Sequence, residues 1–186
     1  MALRFGIPLL ACVTAAGVGG VAAAVPPLTR GLDPKHAAAG VERLRAAVSA
    51  YLELSEEQLV GMVPTQSGIY FTDCPNCTMA AQDRGNFDWR RQEPQRIVCK
   101  DCGAAFPDHP DYPETGVLEV ASPLGVHRYP YYERADGYRL YFRAHVDYLA
   151  REALAKACEN LAELWWATRD DAYARRLVGY EGEIPR

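Results

Sequence analysis

Two helical stripes, with a non-periodic, cysteine-bearing stretch between them, predict a mainly α chain that carries a small β insertion. Three observations lead there. Apolar residues recur at three-to-four spacing from Val41 to Leu52 and again from Val146 to Trp165. Between these stripes, residues 66–142 lose the period and show short apolar runs separated by proline-rich loops. That middle stretch also holds two Cys-x-x-Cys pairs, at Cys74/Cys77 and Cys99/Cys102. A length of 186 residues suits one domain, and 49% hydrophobic with 24% charged residues excludes wholesale disorder. The formal net charge of -4 is the wrong sign for a chain held on nucleic acid by charge alone.

Residues 1–24 read as a signal peptide. Arg4 closes a basic n-region, Phe5 to Val25 is apolar, and Ala22-Ala23-Ala24 supplies small residues for cleavage before Pro26-Pro27. Pro8, Gly17, Gly19 and Gly20 weaken the run as a permanent membrane helix, so no stable span is expected and the remainder is expected to be periplasmic or secreted. A lipid anchor at Cys12, after Leu9-Leu10-Ala11, is a second reading; the apolar run continues past Cys12, where a lipoprotein turns polar. An uncleaved anchor is the third.

Residues 25–65 form the N-terminal helices. Asp33-Pro34 provides a cap and a first-turn proline, and Val41, Leu44, Val48, Tyr51 and Leu52 then line one face of a helix of about five turns. Ser55 with Gln58 is a capping box for a short second helix ending before Pro64.

Residues 66–142 are expected to be a zinc-ribbon-like subdomain with a β-hairpin. Ile69 to Thr72, Arg96 to Cys99 and Val117 to Val120 are the short apolar runs. Tyr129 to Tyr132 and Tyr138 to Phe142 flank Asp136-Gly137, a pair suited to a positive-φ turn. A two-residue spacer lets both sulfurs of a pair face one metal, and two such pairs supply four thiolates to a tetrahedral site. Cys74, Cys77, Cys99 and Cys102 are therefore the candidate ligands of a structural zinc. All four positions would be filled by protein, leaving none for a catalytic water. Disulfides within or across the pairs, an empty site, and iron are the alternatives; a bond within Cys-x-x-Cys would close only a tiny loop. Cys158, on the apolar stripe of the later helix, reads as an inert buried thiol.

Residues 143–186 hold a helix of about seven turns, with Val146, Leu149, Ala153, Leu154, Ala157, Cys158, Leu161, Leu164 and Trp165 on its apolar face. Arg169-Asp170 is a tight corner. Asp170 or Asp171 caps a following helix whose Tyr173, Ala174 and Leu177 face inward, so the two helices are antiparallel neighbours, as in bundles or helical-hairpin toroids. Trp165 and Trp166 are adjacent and cannot share a direction, so one belongs to the core and the other to a seam or groove. The helix from Asp170 to Val178 reads as just begun when the chain stops at Arg186, which suggests the front of something longer.

Glu57-Gln58-Leu59-Val60 through Val63-Pro64-Thr65-Gln66, Cys74-Pro75-Asn76-Cys77, Trp89, Cys99-Lys100-Asp101-Cys102-Gly103, Phe106-Pro107, Tyr112-Pro113 and Tyr141-Phe142 occur in that order. Thr168-Arg169-Asp170-Asp171-Ala172-Tyr173-Ala174 follows. This series resembles the front of heparinase II/III-like proteins, exported enzymes of which many are polysaccharide lyases. Arg169 stands where that family usually has glycine. The resemblance implies the incomplete start of an α/α toroid, with the remaining toroid and a β-sandwich missing. It also implies an anionic polysaccharide as partner and β-elimination on uronic-acid polymers as the activity of the whole protein. The family's catalytic motifs match no residue here, so no catalytic residue is assigned and this chain alone is expected to be inactive.

Several residues are chemically suited to uronate elimination, which needs a base at the acidic proton and a cation beside the carboxylate. They are His127, Arg128, Tyr129, Tyr131, Tyr132, Arg143 and His145. The simpler expectation is that the tyrosines cover a sheet face or domain seam. His109 reads as a loop residue. Arg84, Arg90, Arg91, Arg96 and Lys100, interleaved with Phe87 and Trp89, are the basic accumulation, diluted by Asp83, Asp88 and Glu93. The competing function is a non-enzymatic, exported zinc-ribbon module for protein assembly or polyanion binding.

Overall fold

The computed structural model describes residues 34–77, 86–123 and 125–178. The signal-peptide segment, Cys12, the Asp33 cap, Arg84 and residues 179–186 lie outside them. The described residues form a small mixed α/β domain: α1 (Pro34–Leu52), α2 (Glu56–Met62), β1 (Phe87–Trp89), β2 (Ile97–Cys99), β3 (Ala105–Phe106), β4 (Gly116–Ser122), β5 (Gly125–Glu133), β6 (Arg139–Leu140), α3 (Phe142–Thr168) and α4 (Asp171–Val178). Among the described residues no helix is long and apolar enough to cross a membrane.

The 27-residue α3 is the strut, about 40 Å long at helical rise. Its N-terminal part closes one core, in which Val146 and Phe142 meet Phe87, Ile97, Phe106, Leu140 and the cysteines Cys74 and Cys99. Phe106 and Phe142 are wholly buried and stack with ring centroids 4.2 Å apart. Its C-terminal part closes a second core, where Leu161 and Leu164 meet Val48 of α1 and Tyr173 of α4. Arg176 of α4 donates to the carbonyl of Tyr51, an orphan acceptor in the last turn of α1, and to that of Leu54 just past the helix. Arg45 of α1 reaches the Tyr173 hydroxyl, 3.3 Å away.

Two antiparallel sheets, ordered β1-β2-β3 and β4-β5-β6, sit at the N-terminal end of α3. The first pairs Phe87 with Cys99 and Ile97 with Phe106. In the second, β4 and β5 form a long hairpin from Gly116↔Tyr131 to Ser122↔Gly125. The Asp136-Gly137 hairpin is present with shorter arms than expected: Tyr132 pairs with Leu140, and Gly137 takes φ 83°.

The capping box at Ser55 and Gln58 is formed, with the hydroxyl accepting from Gln58 N and the amide oxygen accepting from Ser55 N. Four expectations need correction. The run Ile69 to Thr72 is no strand. It is an extended segment laid on the first turns of α3, tied by Ile69 N to Ala144 O (2.9 Å) and by Tyr141 N to Thr72 Oγ1 (2.9 Å). Gly68 permits that approach, since a Cβ there would lie 2.2 Å from the Tyr148 nitrogen. Cys158 is exposed, not buried, because the face of α3 turned to α1 and α4 passes through Ala157, Leu161 and Leu164. Leu177 is 38% exposed and Leu52 39%, each at the end of its described helix, beyond the contact around Val48 and Tyr173.

Candidate metal centre

The extended segment that ends at Cys74 turns at residues 75–77 to present Cys77. Opposite, β2 ends at Cys99 and the chain turns through Lys100, Asp101 and Cys102. Gly103 closes this second turn: its N–H donates to Cys99 O at 2.9 Å, with φ 75°, a conformation that costs a residue with a Cβ about 1 kcal/mol or more. Cys99 N then bonds Ala104 O at 2.8 Å, and Lys100 N bonds Asn86 O at 2.8 Å. The Asn86 side-chain amide donates to the Asp101 carboxylate.

The two turns bring the sulfurs of Cys74, Cys77, Cys99 and Cys102 together, all within 4.8 Å of one another. Cys74 Sγ lies 3.6 Å from Cys102 Sγ, and Cys77 Sγ lies 3.5 Å from Cys99 Sγ. A metal bound to four sulfurs at about 2.3 Å sets a tetrahedron edge of about 3.8 Å. A disulfide needs sulfurs about 2.05 Å apart, and all four cysteines are free thiols. The spacing is thus that of a four-thiolate metal site. Burial is mixed: Cys74 and Cys99 are closed into the first core, while Cys77 and Cys102 face solvent. The Asn76 amide donates to Cys102 Sγ at 3.4 Å and, as the chief cause, draws that thiol down to about 7. Burial pushes the Cys74 thiol well above its ordinary range, so its thiolate needs a cation beside it. Among the described residues this is the one group of metal-ligating side chains that converges.

The other candidates do not assemble. His109 stacks on Phe106 at 5.3 Å and accepts from Asp111 N at 3.2 Å, as a loop residue would. His145 is 1% exposed. It lies against Phe87 and Tyr148, its Nδ1 lies 3.1 Å from Ile69 O, and burial holds its imidazole below the ordinary value. His127 sits on the protruding hairpin, 2.9 Å from Ser122 Oγ. Tyr129 is buried, Tyr132 meets Tyr112 edge-on, and Tyr131 packs against Tyr141 and beneath Arg139. Trp165 joins the second core, whereas Trp166 lies under the Arg169 guanidinium at 4.1 Å.

Two residues of the basic accumulation are paired with carboxylates, and Arg91 lies over the Tyr51 ring at 5.5 Å. Arg90 pairs with Asp88 at 3.1 Å and Arg96 with Glu93 at 3.8 Å, around a 330 Å³ depression. A second concavity of 260 Å³ includes Arg128 and Arg143. Arg128 pairs with Glu119 at 2.9 Å, and Arg143 is engaged by Asp108 at 2.7 Å and by Glu114.

Sequence reasoning missed Asn76, Asn86 and Glu114. Asn76, inside the first Cys-x-x-Cys, was open to suspicion as a sulfur donor; nothing local marks the other two. Glu114 accepts from Arg143 N at 3.2 Å in the first turn of α3, and burial pushes its carboxyl up to about 7.

No protein-family model matches the chain, and neither a curated protein nor a solved structure does.

Proposed function

We infer that the four cysteines hold one structural zinc ion and that the chain is a non-enzymatic, exported zinc-ribbon module for protein assembly. The observation that carries this reading is the four-sulfur cluster itself. With every coordination position taken by protein, the metal has no site for water or substrate, and its work is to clamp the two turns to each other beside the first core. Zinc is the ion proposed because four thiolate ligands at tetrahedral spacing are its usual structural set. Polyanion binding is less favoured than assembly, since Arg90, Arg96, Arg128 and Arg143 each face a carboxylate. Val117 and Val126 on the hairpin and Tyr70 and Phe71 beside α3 are exposed apolar groups that a protein partner would cover.

One observation favours a second reading, the front of a heparinase II/III-like lyase. Arg169 adopts φ 59° at the corner between α3 and α4, the left-handed conformation for which glycine, the family's residue there, is suited. On that reading α3 and α4 begin a toroid, and later segments supply the catalytic groups. Both readings predict no β-elimination by this chain. Incubation with heparin, heparan sulfate and alginate should yield no ultraviolet-absorbing unsaturated uronate. Product that disappears in His127→Ala would overturn the non-enzymatic assignment.

A further inference from the structure

We propose that the cysteine centre is a site of two successive two-electron oxidations, entered at the exposed residues Cys77 and Cys102, and that these link Cys74 to Cys102 and Cys77 to Cys99, across the two turns. The pairing rests on the sulfur geometry; release of a metal in the same event rests in addition on the zinc reading above.

Each of the two contacts, 3.6 Å and 3.5 Å, joins an exposed cysteine to a buried one. A hydroperoxide reaches Cys102 or Cys77 from solvent, while the buried partner is already in van der Waals contact behind it. The thiolate attacks the peroxide: an S–O bond forms, the O–O bond breaks, and the leaving hydroxide takes a proton to become water. The buried thiolate then attacks the sulfenic sulfur. The S–S bond forms, the S–O bond breaks, and a second hydroxide leaves and is protonated. For each S–S bond two thiolates together lose two electrons and one peroxide with two protons becomes two waters, so the second bond consumes a second peroxide.

The partners are 28 and 22 positions apart in sequence, so cross-links between them tie the residue 71–77 segment to the end of β2, as four metal–sulfur bonds would. Bonds inside each Cys-x-x-Cys would close tiny loops and leave the two turns unconnected. Crosswise oxidation therefore exchanges a metal clamp for a covalent one and keeps the fold closed.

The test treats the full chain, reduced and loaded with zinc, with hydrogen peroxide. Remaining thiols are then blocked and the peptides mapped without reduction, while released zinc is read with a chromogenic chelator. Cys74–Cys102 and Cys77–Cys99 peptides are expected, with the metal leaving as the first bond forms and the thermal midpoint largely retained. In Cys102→Ser, Cys77–Cys99 should still form and Cys74 should remain alkylatable. Cys74–Cys77 and Cys99–Cys102 peptides, or sulfinic acids without disulfides, would overturn the proposal. Crosswise peptides from protein that never bound zinc would uphold the pairing and refute the metal reading, so the two failures are distinguishable.

Discussion

Glu114 is a carboxylate placed where its charge is both useful and costly. It accepts from the first turn of α3, where a negative charge is favoured, yet its side chain is 5% exposed and its carboxyl is held at about 7, above the ordinary 4.5. The folded state therefore holds the proton more tightly than the unfolded one. The stability it contributes is fully present below the unfolded value of 4.5 and is lost as pH rises through about 7. The loss is on the order of 3 kcal/mol between the two limits. Glu114→Gln keeps an acceptor for Arg143 N and should flatten this part of the profile. Urea unfolding at about pH 5 and about pH 8 checks it; equal slopes in both proteins would refute the assignment. At the helix corner, Arg169 sits at φ 59° with its guanidinium over Trp165 and Trp166. A left-handed non-glycine residue costs about 1 kcal/mol, and an exposed cation–π contact offsets about 0.5–1 kcal/mol of it. Arg169→Gly should thus be close to neutral, whereas Arg169→Ala, which keeps the strain and loses the contact, should destabilise by about 1 kcal/mol in thermal or urea melts. An alanine variant as stable as the glycine one would show that the contact contributes nothing.

At the scale of elements, the helices were legible because their signals are local. The Val41–Val48 stripe, the Ser55/Gln58 box and the periodicity from Val146 to Leu164 each lie within a few turns, and α1, α2 and α3 follow them. The strands were less so. Phe87–Trp89 reads as an aromatic-basic patch until β2 pairs with it, and the β4–β5 ladder depends on partners that no spacing rule names. Cys158 and Leu177 were misplaced for a related reason: periodicity gives a stripe, but the neighbour decides how wide a stripe is covered. The cysteine cluster was legible by spacing alone, while Asn76 and Asn86, which dress it, were not. Because the sulfurs converge only when both turns are formed, Cys99→Ser should loosen the first sheet and its turns and leave the far end of α3, held by Val48 and Tyr173, intact. Hydrogen exchange should rise in residues 86–106 and not in residues 157–168. A rise across both would mean that the two cores unfold as one.

For the whole molecule, α3 links a helical core to one in which Cys74 and Cys99 pack beside Phe87, Ile97, Phe106 and Phe142, so at that end the cysteine centre and the apolar packing adjoin. The first sheet has short strands of three, three and two residues that pack on α3, and a clamp across its turns would add to that packing. A bound metal would supply that clamp, so folding of this end and occupancy of the site should be one equilibrium. The measurement that tests this most directly is elemental analysis of full-length protein purified under reduction without added metal, paired with a thiol count and a melt before and after chelation. The account predicts one zinc per chain, four thiols protected until chelation, and loss of the first sheet's signal with the helices retained. Four reactive thiols, no bound metal and an unchanged melt would contradict it.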